Sequence, residues 1–409
     1  MRADPPPASE TGDPRVDERS PVYRRALIAL FFAGVATFAQ MYSPQALLPE
    51  IAREFEVSAG AASWVIGATT IGVAVGVVPW ARWSDRVGRA VAMRVAITLA
   101  VVVGASVAAA PGFEVLVAVR FVEGLALAGL PALAVMTLAE TVRPRALAAA
   151  IGSYVAGTTI GGLSGRLLAG SASEVWGWRG GVLAVALLAL VSAVVFLLLL
   201  PATRVPPAAP IPLWRGLADN LRKPGVLALV AQGFLLMGAM VAAYNAVSFR
   251  LQEPPFDLSV AQVSWIYLVY LAGAVASAQV WRLTRRLGST GALTVCVAAL
   301  AAGAAVSLVQ AVPAVVSGMA LITAGFFGAH AVSNGLLNSR GGSGRSLTPS
   351  LYNWGLYAGS SVLGWAGGAA FTAIGWPGTA GLVIAAAGLA VAIAWAYESR
   401  GSGSTLTAD

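Results

Sequence analysis

Four ionisable side chains interrupt long apolar runs of this sequence: Arg120, Glu123, Arg166 and His330. Arg120 and Glu123 are three residues apart, so a helix would place them on one face, where they can pair. Arg166 requires an acidic partner, a polar or anionic substrate, or a water-filled cavity. His330, the only histidine, can carry a proton near neutral pH. The structural alternatives are a self-neutralising Arg120–Glu123 pair and a neutral, hydrogen-bonded His330.

The composition is that of an integral membrane protein. Of 409 residues, 58% are hydrophobic and 11% charged, whereas about a quarter are charged in soluble domains. The single cysteine, Cys296, excludes an intrachain disulfide and a cysteine-based metal cluster. The only lysine, Lys223, precedes Pro224 and follows no glycine-rich loop, which excludes a P-loop. There is no GxSxG or HExxH motif, so we expect no enzyme, no cofactor and no metal site.

Twelve apolar runs are long enough to cross a bilayer as helices of about 20 residues. The sequence therefore predicts an all-α membrane protein, with six transmembrane helices in residues 24–201 and six in residues 224–398. A disordered cytoplasmic tail (1–23), a linker (202–223) and a second tail (399–409) complete the chain. The predicted spans are 26–49, 60–81, 91–110, 114–138, 147–170, 180–201, 224–249, 259–281, 291–310, 313–338, 348–372 and 379–398.

Basic residues are concentrated on one side of this map. Of the 26 arginine and lysine residues, all but Arg53, Arg120, Arg166, Arg179 and Arg250 lie in the two tails, in the linker or near the loops that follow even-numbered spans. The positive-inside rule places both termini and the linker in the cytoplasm. The net charge of +8 comes from these clusters, so we expect a lipid bilayer and no nucleic acid as a partner.

The two halves repeat each other. Arg86 and Gly88 match Arg286 and Gly288 at an offset of 200. Parallel six-helix repeats imply a solute site between the halves, near the bilayer midplane. At an offset of 198, Tyr154, Gly157, Gly161, Gly170 and Gly177-Trp178 recur as Tyr352, Gly355, Gly359, Gly368 and Gly375-Trp376.

The second loop, residues 81–89, reads ARWSDRVGR. It resembles the major facilitator signature G-x-x-x-D-R-x-G-R, with Ala81 in place of the first glycine. In that family the resemblance implies a cytoplasmic gate latch, whereas the alternative is an ordinary positive-inside loop. Similarly, Arg120 to Gly124 resembles the family element R-x-x-Q-G, with Glu123 in place of glutamine. The predicted latch consists of Asp85, Arg86, Gly88 and Arg89, with Glu140 and Arg143 as partners.

Glycines recur at helical spacing through the fifth span. Small residues at this spacing let helices approach closely and slide, which suits a hinge, while static packing is the alternative. The pattern is similar to the glycine-rich signature of the antiporter branch, G-x8-G-x3-G-P, but Arg166 replaces the proline. The antiporter assignment therefore stays open, and Arg166 becomes a candidate for the substrate site. The predicted hinge comprises Gly152, Gly157, Gly161, Gly165 and Gly170.

From about residue 25 to 398 the chain resembles the YnfM-type inner-membrane transport proteins. The resemblance is carried by stretches such as Met41 to Gln45, Gly161 to Arg166 and Gly325 to His330. It implies the major facilitator fold, a location in the inner membrane and a place near the drug- and sugar-efflux permeases. In this fold the first helix of each half lines the cavity. Further binding candidates, with interhelical hydrogen bonding as the alternative, are therefore Gln40, Tyr42, Gln45, Tyr244 and Asn245. Tyr154 of the fifth span is a further cavity candidate.

Together these features predict a monomeric secondary transporter that exports a small organic solute in exchange for protons. The proton gradient would supply the energy, and two rocking six-helix halves would give alternating access. Uptake by symport or facilitated diffusion is the second transport hypothesis. A non-transporting scaffold or sensor is the alternative from another class, but such proteins need an output domain, and the tail and linker are short.

Overall fold

The computed structural model describes residues 20–201, 222–340 and 348–403, and within these ranges the chain forms helices and no strand. Most of the predicted linker, 202–223, and of the tail 1–23 lies outside the described residues. In chain order the helices are α1 (Pro21–Tyr42), α2 (Leu48–Glu54), α3 (Ala59–Ala62), α4 (Trp64–Val87), α5 (Arg89–Ser106), α6 (Phe113–Leu127), α7 (Pro131–Thr141), α8 (Pro144–Leu199), α9 (Pro224–Gln252), α10 (Val260–Ser264), α11 (Tyr270–Val306), α12 (Val312–Arg340), α13 (Thr348–Ile374) and α14 (Trp376–Gly403).

Eight helical segments of the described residues are long and apolar enough to cross a membrane. Two of them are long enough for two crossings, Pro144–Leu199 with 56 residues and Val260–Val306 with 47. The first, α8, would measure about 84 Å if straight. That is nearly three times the bilayer core of about 30 Å. The fourth predicted span is divided into α6 and α7 at Pro131. The all-α, multi-spanning fold is therefore confirmed, while the number of twelve spans stays a prediction.

Glycines divide the long helices where the chain must reverse. Gly177 in α8 has φ 64° and Gly288 in α11 has φ 70°. Gly88, between α4 and α5, and Gly375, between α13 and α14, also have positive φ. A side chain at positive φ is strained, so glycine is the residue that permits these turns. Gly88 corresponds to Gly288 at the offset of 200, and Gly177 corresponds to Gly375 at the offset of 198. Each pair thus has one glycine in each half.

At its ends the helical region is longer than predicted. Helix α1 begins at Pro21, with the Ser20 side chain accepting a hydrogen bond from the Val22 amide. Proline is favoured at a helix start because its missing N–H would have no helical partner there. At the other end α14 continues to Gly403, into the predicted tail 399–409.

Three of the predicted hinge glycines pack α8 directly against α1. A Cβ atom at Gly157, Gly161 or Gly165 would lie 2.2–2.7 Å from the backbone of Phe31, Val35 or Ala39. Glycine thus lets the two backbones touch along two turns of helix. The arrangement recurs in the second half, where a Cβ atom at Gly355 or Gly359 would meet the backbone of α9.

Gly152 and Gly170 behave differently from these three. A Cβ atom at Gly152 would meet nothing within 4 Å, so close packing does not explain that glycine. A Cβ atom at Gly170 would lie 1.6 Å from Ser264 Oγ, across the boundary between the halves. The predicted hinge set therefore divides into a packing face, one free position and one contact between the halves.

In each half an arginine donates hydrogen bonds to carbonyl oxygens at a helix end. The same arginine packs on the tryptophan of the repeated Gly-Trp pair. In the first half Arg179 lies 4.4 Å from the Trp178 ring and donates to the Ala110 carbonyl oxygen at 3.2 Å. Arg179 also pairs with Glu54, which lowers the pKa of that carboxyl.

In the second half the arginine comes from a different helix, α9. Arg250 lies 4.9 Å from the Trp376 ring and donates to the Ser307 carbonyl oxygen, just after α11 ends. It also reaches the Val309 carbonyl oxygen at 3.2 Å. Carbonyl groups at the end of a helix lack a partner inside that helix. Arg179 and Arg250 each donate to a carbonyl oxygen directly after a helical segment, at Ala110 and Ser307.

Candidate functional site

The halves meet at the end opposite the arginine-rich loops, through two matching contacts. A Cβ atom at Gly170 of α8 would lie 1.6 Å from Ser264 Oγ of α10. In the equivalent place a Cβ atom at Gly368 of α13 would lie 2.5 Å from Ser63 Oγ, beside α3. Each contact seats a glycine of one half on a short helix of the other. These two contacts, which we call the seam, bring the halves to backbone distance.

Below the seam, Gln45 and Asn245 bind each other across the halves. Gln45 Nε2 donates to Asn245 Oδ1 at 2.8 Å, and Ser248 Oγ donates to the Gln45 carbonyl oxygen at 2.9 Å. Both amide side chains are buried. Gln45 and Asn245 are separated by 200 residues, the same offset as the loop repeat. The pair therefore joins equivalent positions of the two halves.

Arg166 extends this pair into a network. Its Nε donates to Gln45 Oε1 at 2.8 Å and one terminal nitrogen to the Gly162 carbonyl oxygen at 2.6 Å. The other terminal nitrogen donates to the Tyr270 hydroxyl of the second half at 3.1 Å. Arg166 is 1% exposed. No ion pair joins it to a carboxylate within the described ranges.

Tyrosine rings surround the guanidinium group of Arg166. Its central carbon lies 5.0 Å from the Tyr42 ring, 5.2 Å from Tyr267 and 4.7 Å from Tyr270. Tyr244 stacks on Tyr267, with ring centroids 5.6 Å apart. Ring faces attract a cation, most strongly where water is excluded. The network and cage join Tyr42, Gln45, Arg166, Tyr244 and Asn245, all of which the sequence identifies as candidates.

Arg120 and Glu123 form a separate site inside the first half. Arg120 donates to Glu123 Oε2 at 2.5 Å, to the Val65 carbonyl oxygen at 3.0 Å, and to those of Gln40 and Met41 at 3.1 and 2.8 Å. Both charged side chains are buried. The pair therefore faces the helices of its own half and does not contact Arg166.

A cavity of about 10 Å³ adjoins this ion pair, lined by Gln40, Gly104, Arg120, Glu123 and Val185, among others. A Cβ atom at Gly104 would lie 2.0 Å from Gln40 Oε1 and 2.9 Å from Glu123 Oε1, so a larger residue there would displace the ends of these two side chains. Gln40 Oε1 is buried without a hydrogen-bond partner. The volume is close to that needed by one water molecule.

His330 lies in the second half, between aromatic rings. It stacks on Phe326 and Tyr352, with centroid separations of 5.7 and 5.5 Å. Its Nδ1 lies 3.0 Å from the Tyr352 hydroxyl, and its Nε2 lies 3.0 Å from Asn334 Nδ2. An amide nitrogen can only donate, so in this arrangement Nε2 accepts and Nδ1 carries the hydrogen. These contacts match the neutral, hydrogen-bonded alternative, and they do not bring His330 to Arg166.

Among the predicted latch residues, Arg89 pairs with Glu140, at the start of α5 and near the end of α7. Both belong to the first half. Burial raises the pKa of Glu140 despite this pairing. Asp85 and Arg86 are exposed at the end of α4. The Arg89–Glu140 pair therefore lies within the first half and does not cross between the halves.

Three other predicted residues lie near the latch or along α8. Gly88 precedes α5, and Arg143 is the residue before α8, half-buried there. Tyr154 is buried, and its hydroxyl has no hydrogen-bond partner. It precedes Arg166 by twelve residues on the same helix, which is about 18 Å.

Sequence reasoning missed the second-half residues that complete the cage, Tyr267 and Tyr270, and it missed Gly104. The repeat offset of 200 would have paired Gln45 with Asn245. No comparable signal identifies the tyrosines, because aromatic residues are common in buried membrane helices.

Most of this chain matches a known protein family. Residues 30–346 match the family described as Major Facilitator Superfamily. The chain is 34% identical over 352 residues to the MFS-type transporter YybF of Bacillus subtilis, covering 85% of this chain and 87% of YybF. It is 30% identical over 372 residues to the inner membrane transport protein YnfM of Escherichia coli, covering 88% and 89%.

The fold comparison agrees with the sequence matches. A bacterial homologue of the human lysosomal transporter Spinster, solved in an inward-facing and occupied conformation, superposes with a TM-score of 0.74 at 16% identity. The match covers 93% of this chain and 97% of that one. The family and these relatives are transporters rather than enzymes, as the sequence predicts. This chain therefore belongs to the Major Facilitator Superfamily and is a multi-pass membrane transporter.

Proposed function

We propose that this chain is a proton-coupled exporter of small organic solutes in the inner membrane, working as a monomer by alternating access. The observation that carries the proposal is the position of Glu123. Its carboxyl group is the only one buried by more than nine-tenths in the described part of the chain. A carboxyl group in that setting changes charge only together with its surroundings, as proton coupling requires.

A path leads from Glu123 to the contacts between the halves. Arg120, which binds Glu123, also holds the carbonyl oxygens of Gln40 and Met41 at the end of α1. The chain then forms a short 3₁₀ turn, Ser43–Ala46, which carries Gln45. Such turns inside or beside long helices often mark hinges. Protonation of Glu123 would release Arg120 and let this turn move.

Movement of the turn would weaken the bonds that join the halves. Gln45 binds Asn245 of the second half and Arg166 of the first half. For solute to pass, these bonds and the seam must break while the other end closes. We propose that Asp85, Arg86 and Arg89 then act as the latch at the arginine-rich end. The efflux direction is supported by the resemblance to drug- and sugar-efflux permeases.

Proteoliposomes test the coupling directly. The purified protein is reconstituted, an outward or inward pH gradient is imposed, and movement of a broad panel of organic solutes is measured with and without a protonophore. We expect solute to move against the proton flux. Glu123→Gln keeps the size of the side chain and should leave downhill exchange of solute while removing its dependence on the gradient.

Glu114→Gln is the matched control, since Glu114 lies in the first turn of the same helix but is exposed. It should behave as the natural protein does. Unchanged gradient dependence in Glu123→Gln would contradict the role of Glu123. Solute movement in the same direction as protons would support uptake by symport, and movement unaffected by the protonophore would support facilitated diffusion.

A further inference from the structure

The network around Arg166 ends in hydrogen-bond donors. Arginine has five N–H groups, of which Arg166 uses three, on Gln45, Gly162 and Tyr270. Two N–H groups thus stay available in a buried position. An arginine in a membrane interior normally pairs with an acid, and the described residues give Arg166 none.

The amide groups continue this pattern. Arg166 can only donate, so it fixes the oxygen of the Gln45 amide towards itself. The Gln45 nitrogen must then face Asn245 and donate to its oxygen. Asn245 Nδ2 is consequently directed elsewhere, buried and without a partner. A chain of three side chains therefore begins at a cation and ends at an unused donor.

Two hydroxyl groups adjoin the same place. Tyr42, whose ring contacts Arg166, has a buried hydroxyl without a hydrogen bond of normal geometry, and so does Ser360, although the two lie close enough to interact. Ser360 is one helical turn from Gly364, and a Cβ atom at Gly364 would lie 3.3 Å from Asn245 Nδ2. The unused groups thus lie near one another. Each unmet buried donor costs free energy until an acceptor arrives.

We propose that Arg166, Asn245, Tyr42 and Ser360 form an anion subsite, and that the transported solutes are organic anions bearing a carboxylate or a similar acidic group. This inference rests on the proposed transport function and names its substrate class. The acidic group accepts from the two spare N–H groups of Arg166 and from Asn245 Nδ2. An aromatic or planar body packs on the rings of Tyr42 and Tyr270, which already accommodate the planar guanidinium.

Paired probes that exchange a carboxylate for a neutral amide of the same shape test the subsite. Binding to the full-length protein in detergent is measured by its thermal stabilisation and by calorimetry. The probes are benzoate against benzamide, phenylacetate against phenylacetamide, and indole-3-acetate against indole-3-acetamide. We expect the carboxylates to bind and the amides to bind at least about tenfold more weakly, because a charge-assisted hydrogen bond is lost.

Variants separate binding from folding. Arg166→Gln should weaken carboxylate binding about 10- to 150-fold, the loss of one hydrogen bond between charged partners, while Arg166→Lys should retain part of it. Arg94→Gln is the control, since Arg94 donates to the Leu200 carbonyl oxygen at the arginine-rich end. It should leave binding unchanged.

Asn245→Asp gives the sharpest result. A carboxylate at this position offers the buried cation of Arg166 a counter-charge, so the ligand-free protein should melt at a higher temperature. The same charge repels an anion, so carboxylate binding should disappear. A purely structural role for the network would predict the first effect without the second.

Several results would overturn the subsite. These are equal binding of acids and amides, no stabilisation by any of the three carboxylates, or full carboxylate binding in Arg166→Gln. Because binding in detergent involves no gradient, carboxylate binding without proton-driven transport would refute the coupling and leave the subsite standing. Proton-driven transport of neutral solutes only, with no carboxylate binding, would refute the subsite alone.

Discussion

Replacing Gly170 with alanine should open the seam. A Cβ atom there would lie 1.6 Å from Ser264 Oγ and 2.7 Å from Ser264 Cβ. Rotation of the hydroxyl does not relieve the second contact, and Ser264 Oγ is already bonded to the Val260 carbonyl oxygen at 2.9 Å. Either α10 or the end of α8 must move. Both movements separate the halves at the end opposite the arginine-rich loops.

The size of the effect follows from the geometry. One extra methyl group in a packed contact costs about 1–3 kcal/mol. The contact is between halves, so this cost falls on the state in which the seam is closed. A differential cost of that size changes the ratio of closed to open protein about 5- to 150-fold. The open state should therefore become detectable or dominant.

Spin labels measure that ratio. Glu114→Cys in the first half and Glu253→Cys in the second half are both exposed positions near the seam end, and Cys296→Ala removes the natural thiol. Double electron–electron resonance then gives the distribution of distances between the halves. Gly170→Ala should add or enlarge a long-distance population in the absence of solute.

Gly152→Ala is the matched control on the same helix. A Cβ atom there would meet nothing within 4 Å, so the substitution tests the general helix effect of alanine, about 0.5–1 kcal/mol. Its distance distribution should match that of the natural protein. An unchanged distribution in Gly170→Ala, with normal folding, would show that the seam does not set the balance between the states.

Three further predictions concern stability. Gly161→Ala should lower the apparent melting temperature through a cost of about 1–3 kcal/mol, because its Cβ atom would meet the Val35 backbone at 2.5 Å; no change relative to Gly152→Ala would contradict the packing role. Arg250→Met should cost about 1–3 kcal/mol, since it removes the donor to the Ser307 carbonyl oxygen at the end of α11, and thermal denaturation in detergent checks this. Arg179 lowers the pKa of Glu54, so the Glu54–Arg179 pair stabilises the fold above the ordinary carboxyl pKa, and this stabilisation is lost as pH falls through the lowered pKa. Because Glu54 is partly exposed, the contribution is below about 1 kcal/mol. Glu54→Gln should remove this acid-side loss from the plot of stability against pH.

The sequence predicts the helical class and several local features for physical reasons. Apolar length indicates membrane helices, and the repeated glycines mark the turns at Gly88, Gly177, Gly288 and Gly375. The fifth span contains an arginine and no acidic residue, which predicts that Arg166 needs a partner from another part of the chain or from a solute. Each of these inferences depends on residues close together in the chain.

The arrangement of the polar residues could not be predicted in the same way. Arg120 and Glu123 lie inside one half, whereas Gln45 and Asn245 meet between halves, and the four residues look alike in sequence. Which of them meet depends on how the two halves dock, and contacts separated by 200 residues carry no local pattern. A local pattern can also mislead: Gly152 fits the glycine spacing, but a Cβ atom there would meet nothing within 4 Å.

The charged residues of the candidate site do not follow the repeat, because they lie in the first half only, and the two halves therefore contribute different groups to the site. Gln45 and Asn245 are equivalent positions, but the counterpart of Arg166 at the offset of 198 is Gly364. The buried Arg120–Glu123 pair is likewise in the first half, while the second half supplies Tyr267 and Tyr270. In the proposed mechanism, proton-dependent movement therefore originates in the first half, and the second half contributes the Tyr267 and Tyr270 rings. It follows that Tyr270→Phe, which keeps the ring and removes the bond to Arg166, should change solute affinity without altering gradient dependence, whereas Glu123→Gln should do the reverse.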